Sequence, residues 1–177
     1  MSRKPNCCRR KNWPLHPCVS RTCRPPLSRL CLRLKLSPTR KPHPRSPYEK
    51  LGGYVHLPRL IDKARLHRQG LLNGYNYKSV GFDKHLLAFL NLHGDAFEEA
   101  ANRLNSDAEV LDWVRKHSSK HSAEEIEQWN LAMIARHPDT AEKKARFLHF
   151  LKEAGGKGRS EIRTYFDLIE FDEGRLK

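Results

Sequence analysis

From residue 46 onward the chain contains no cysteine, so neither a disulfide nor a thiolate metal site can belong to whatever folds there. Residues 1–45 have the complementary gap, with no Asp or Glu at all. No apolar run approaches the roughly 18 residues of a membrane-spanning helix. A secretory signal needs an apolar stretch of about 7 to 15 residues, and the best candidate, Leu30 to Leu36, is broken by Arg33 and Lys35. Arg9-Arg10 precedes no apolar segment, and the prolines of residues 1–45 would interrupt the amphipathic helix of a transit peptide. Gly52-Gly53 lacks the further glycine or lysine of a phosphate-cradling loop. No serine sits in an elbow-like setting, so a nucleophile triad has no support either.

What is present divides the chain in two. Of the 34 Lys and Arg, 13 fall in residues 1–45, whereas all 20 Asp and Glu lie beyond, so residues 46–177 are close to neutral. The five cysteines (Cys7, Cys8, Cys18, Cys23, Cys31) and most prolines lie in the basic segment, and the cysteine spacing matches no paired zinc knuckle. Residues 1–45 therefore read as a disordered basic extension with too little apolar mass to offset chain entropy. The same break is what a reading frame with its true start nearer Ser46 would produce. Any attraction to nucleic acid belongs to this extension and not to residues 46–177.

Residues 46–177 suffice for one domain. The pattern predicts an all-α fold, a compact bundle of about six helices, with no alternating run long enough for a sheet. The first helix runs from Leu57, with Pro58 in its first turn, to a stop at Gly70, and Leu60, Ile61 and Ala64 share a face. A second opens at Asp83 as N-cap and carries Leu86, Leu87, Phe89 and Leu90. Phe97, Ala100, Ala101 and Leu104 form one stripe whose alanines let a neighbour approach closely. Ser106 with Glu109 and Ser122 with Glu125 have the spacing of capping boxes. Asp139 with Glu142 caps a further helix, whose apolar residues cover well over half its circumference and predict the most enclosed helix of the bundle. Residues 164–169 complete the bundle.

The segments SPYEKLGGYVHLPRLIDKARLH (46–67), NYK (76–78), EEIEQWN (124–130) and TYFDLIEFDEGRL (164–176) resemble an uncharacterised bacterial family known only as a domain of unknown function. The resemblance spans residues 46–177 and brings no catalytic or binding residues with it.

Chemistry-bearing candidates must come from the residues themselves. His117 and His121 stand four apart, but Ser118, Ser119 and the cap at Ser122 place them in a connection as solvated loop histidines, and no metal or cofactor is implied. Asn130 and His137 share the stripe of Ile126, Trp129 and Met133, where a polar side chain needs a partner. The structural reading has Asn130 bonding a loop backbone and His137 closing a helix end. His56, Arg59, Lys63, His67, Tyr75, Asn76 and Tyr77 crowd donors and aromatic rings into a short segment, with Arg59, Lys63 and His67 along one strip. Such a set can line a pocket for a small anion. The alternative is a solvated strip facing Asp95, Glu98, Glu99, Asp107, Glu109 and Asp112.

Three functions follow in order of preference: a cytoplasmic helical module binding a small, anionic ligand or a protein partner; an enzyme using His56 or His67 as acid or base; and nucleic-acid binding through the basic extension. Whether the domain is an enzyme is left open by the residues alone.

Overall fold

A computed structural model describes residues 43–72 and 74–176; the expectations for residues 1–42 lie outside the described residues. The first secondary-structure element among the described residues is a hairpin. Strands β1 (Lys50–Leu51) and β2 (Tyr54–Val55) pair antiparallel, Lys50 with Val55 and Leu51 with Tyr54. Gly52 and Gly53, both at positive φ (61° and 94°), turn the chain between them. Four paired residues are too few for an alternating pattern, which is why this small sheet is invisible in the sequence.

Among the described residues seven helices follow, in keeping with the expected bundle: α1 (Leu57–Arg68), α2 (Gly81–Leu90), α3 (Gly94–Arg103), α4 (Asp107–His117), α5 (Ala123–Ile134), α6 (Ala141–Glu153) and α7 (Tyr165–Asp172). Both expected capping boxes form, at Ser106 with Glu109 and Ser122 with Glu125, and a third forms at Thr164 with Asp167. Each satisfies two otherwise orphaned backbone donors. The start of α6 differs from expectation: Thr140 is the N-cap, accepting from the Lys143 backbone N–H, while Asp139 pairs with the Lys143 ammonium.

Helix α1 lies at the centre. Leu57, Leu60, Ile61 and Ala64 are buried against Leu86, Leu87 and Leu90 of α2, Phe97 and Ala101 of α3, and Val110, Leu111 and Val114 of α4. The small Ala64 and Ala101 bring α1 and α3 close enough for side chains to reach the facing backbone. Asn102 Nδ2 donates to the Ala64 carbonyl at 3.2 Å and Arg65 Nε to that of Ala101 at 3.3 Å. Smaller clusters join Phe147 and Leu151 to Ile162 and Leu168, and Val55 to Met133 and Phe166.

Helix α6 overturns its expectation. It buries only Phe147 and Leu151, whereas Leu148 and Phe150 are 61% and 49% exposed. A wide apolar circumference says how much greasy surface a helix carries, not that another element covers it. Residues 43–45, placed with the extension on charge grounds, rest on the domain. Arg45 pairs with Asp62 at 2.9 Å and Asp107 at 2.5 Å. No helix among the described residues is long and apolar enough to cross a membrane.

Candidate functional site

The junction between β2 and α1 places His56 in an unusual backbone conformation. It is the N-cap of α1 at φ 66° and ψ −13°, in the left-handed region that a residue with a Cβ rarely visits. Its N–H donates to the Pro47 carbonyl and its own carbonyl accepts from Leu60, so hydrogen bonds on both sides hold the turn. The ring is buried against Phe82 and Phe166, at centroid distances of 5.7 and 6.1 Å. Nε2 lies 2.7 Å from Asp83 Oδ1. Since a carboxylate accepts, Nε2 carries the proton, and a neutral ring then offers a lone pair at Nδ1. That Nδ1 atom is buried and has no hydrogen-bond partner.

Asp83 is the hub of the site and was not among the sequence candidates. It is wholly buried. Besides His56, it accepts from Lys63 Nζ at 2.9 and 3.0 Å and from the Lys78 backbone N–H at 3.3 Å. The expectation that it caps α2 is wrong: the N-cap is Val80, three residues earlier, and Asp83 turns inward from the first turn of the helix. A signal for this did exist. Asp83 stands at i in the stripe completed by Leu86, Leu87 and Leu90, the same kind of misplaced polar residue that singled out Asn130.

Lys63 completes its donor set with the Asn76 carbonyl at 3.0 Å. Arg59, one turn earlier and only 2% exposed, is clamped by two bonds to Glu173 at the end of α7, at 2.9 and 2.5 Å. It also donates to the carbonyls of Pro44 and Arg45 and lies 5.5 Å from the centre of the Tyr75 ring. Tyr75 in turn bonds His43 at 2.7 Å. His56, Arg59, Lys63, Tyr75 and Asn76 thus line one cavity of about 470 Å³, whose apolar wall includes Leu71, Val80, Phe82 and Ile169.

Two candidates fall elsewhere. His67 is half exposed at the end of α1, 2.5 Å from Glu98, as the solvated-strip alternative expects of it. Tyr77 packs on the main core 5.1 Å from the His67 ring, its buried hydroxyl without a partner. Another acid of that alternative, Asp107, is engaged by Arg45 and Arg65.

Both cations of the cavity wall are neutralised within the fold, because Lys63 faces Asp83 and Arg59 faces Glu173. Burial holds the His56 imidazole below its usual value, outweighing the Asp83 contact that raises it. Burial likewise lowers the Lys63 ammonium. For Asp83, burial pushes the carboxyl up, but the His56 bond and the Lys63 charge together hold it below the ordinary carboxylate range. Burial, then Glu173, raises the Tyr75 phenol.

The remaining singled-out residues are occupied by structure. Asn130 is fully buried, accepting from the Val55 N–H at 3.1 Å and donating to the Gly53 carbonyl at 2.8 Å, which ties α5 to the hairpin. His137 is exposed and not on the buried stripe; it bonds the Ala135 carbonyl at the end of α5. His117 stacks on Trp113 and bonds its carbonyl, while His121 stacks on Phe89 and bonds that carbonyl, so the two do not converge.

A family model described as "Domain of unknown function (DUF5069)" matches residues 41–175. No curated protein matches the chain.

Proposed function

We propose, for a chain that belongs to the DUF5069 family, that the cavity beside α1 binds a small polar organic molecule and that His56 is the residue that contacts it. One observation carries this reading: a buried histidine, held at left-handed φ and oriented by a buried carboxylate, has its Nδ1 unpartnered and is among the residues that line a cavity of ligand size. Unsatisfied buried polar atoms are costly and rare, so a hydrogen-bond donor on a ligand is the natural complement. Internal neutralisation of Arg59 and Lys63 argues for an uncharged polar ligand over the anion expected from these cations alone.

Thermal shift against a panel of neutral and anionic metabolites, run on the parent and on His56→Asn, tests this. Asparagine tolerates left-handed φ, so the substitution removes the imidazole while sparing the backbone. At least one neutral compound should raise the melting temperature of the parent, by the equivalent of about 2.7 kcal/mol at a hundredfold excess over Kd, and leave His56→Asn unmoved. A panel without any effect on the parent, or with equal effects on both proteins, counts against the site.

A second reading is favoured by the Asp83–His56 pair itself. A carboxylate that fixes the tautomer leaves Nδ1 free to take a proton, the arrangement a general base requires. If a compound found in the screen is also turned over, His56→Asn should slow turnover by about 10²-fold or more.

A further inference from the structure

We propose that a second cavity, bounded by α6, α7 and the start of α2, binds a small amphipathic anion, a carboxylate or sulfonate attached to a hydrocarbon or aromatic body. This cavity measures about 600 Å³. Its floor is formed by Phe82, Phe147, Phe150, Tyr165, Leu168 and Ile169, and its rim by Arg136, Lys143, Arg146 and His85. No carboxylate lines it.

Two features separate this cavity from the one beside α1, with which it shares part of a wall. The first is the state of its cations. Arg59 and Lys63 are consumed by buried acids, whereas the guanidinium groups of Arg136 and Arg146 make no ion pair among the described residues. The second is uncovered apolar surface. Phe147 is buried, but Phe150, one turn further on the same helix, is 49% exposed. A hydrocarbon body on this floor would remove apolar surface from water, and its anionic end would meet two cations that no acid of the described residues already neutralises. Ligand of that class uses both halves of the cavity; an uncharged polar molecule uses neither. The inference does not rest on the site at His56.

Isothermal titration of the full chain with octanoate, and with uncharged octanamide, tests it. Residues 1–45 carry many cations of their own, so Arg136→Gln/Arg146→Gln is titrated as well, leaving that segment intact. Both arginines are exposed and without ion-pair partners, so the melting temperature should stay within a few degrees of the parent's. Saturable one-to-one binding of octanoate is expected, weakened about tenfold by the double substitution and about tenfold for octanamide. In a parallel experiment octanoate should shift the aromatic ring NMR signals of Phe147 and Phe150 in the parent, a readout that stands even if the variant folds poorly. The proposal is overturned if octanoate does not saturate, if octanamide binds equally well, if affinity survives the double substitution, or if those ring signals stay in place.

Discussion

Replacing Asp83 by Asn keeps the shape of the side chain and removes its charge, leaving Lys63 as a buried ammonium with neutral acceptors only and no counter-charge. In the parent, two of the Lys63 bonds go to Asp83, and the two side chains are 8% and 1% exposed. Breaking a buried pair from one side costs about 3–5 kcal/mol, because the surviving charge is desolvated without compensation. Against a domain stability of about 5–15 kcal/mol this is roughly a fifth or more of the total, equivalent to a fall in melting temperature on the order of 10–20 °C. The loss should depend on pH in a particular direction. With its partner gone, folded-state Lys63 loses its proton well below the unfolded value near 10.4. Between those two values the unfolded chain binds more protons, so the stability of Asp83→Asn rises with pH. Urea unfolding at pH 7 and pH 9.5 measures both effects. Adding Lys63→Met should restore at least half of the loss, since replacing both charges by apolar or neutral groups is far cheaper than orphaning one. A loss below about 1 kcal/mol at pH 7, or no recovery in the double substitution, would refute the claim that Asp83 and Lys63 form a desolvated, coupled pair.

Arg59→Ala should destabilise the domain by about 2 kcal/mol or more, because it removes two charge-assisted bonds from the buried Glu173, leaving Arg175 as its cationic partner, and empties space beside Tyr75; chemical denaturation reads this, and an unchanged midpoint would mean that Arg59 is not part of the scaffold. The His56 imidazole sits below its usual value near 6.5, so as pH falls from about 6.5 toward the folded-state value the unfolded chain takes up a proton that the folded domain refuses, and stability drops by up to about 1.4 kcal/mol per pH unit. Stability measured from pH 7 to pH 5 should show that slope in the parent and a flatter one in His56→Asn. Asp83 adds a separate loss only at more acid pH, below about 4, as its depressed carboxyl is protonated.

Local instructions were legible because they act within one turn of chain. A cap bonds a backbone donor three residues away, and a stripe repeats every three or four residues, so Ser106, Ser122 and the alanine-bearing face of α3 announced themselves. The break in charge near residue 46 was legible for the same reason, as a matter of composition alone. Most of the cavity wall was also within reach, since His56, Arg59, Lys63, Tyr75 and Asn76 come from one short stretch. Only folding decided what those side chains do. Asp83 arrives from α2 and Glu173 from the far end of the chain, and each converts a cation that looks available for a ligand into one already neutralised. No periodicity reports such pairings, because the energy of a buried ion pair depends on distance and desolvation in three dimensions, not on separation in sequence. The same reason accounts for α6: its apolar residues record a capacity for burial, and it took the arrangement of α6, α7 and the start of α2 to leave that capacity open beside two unpaired arginines.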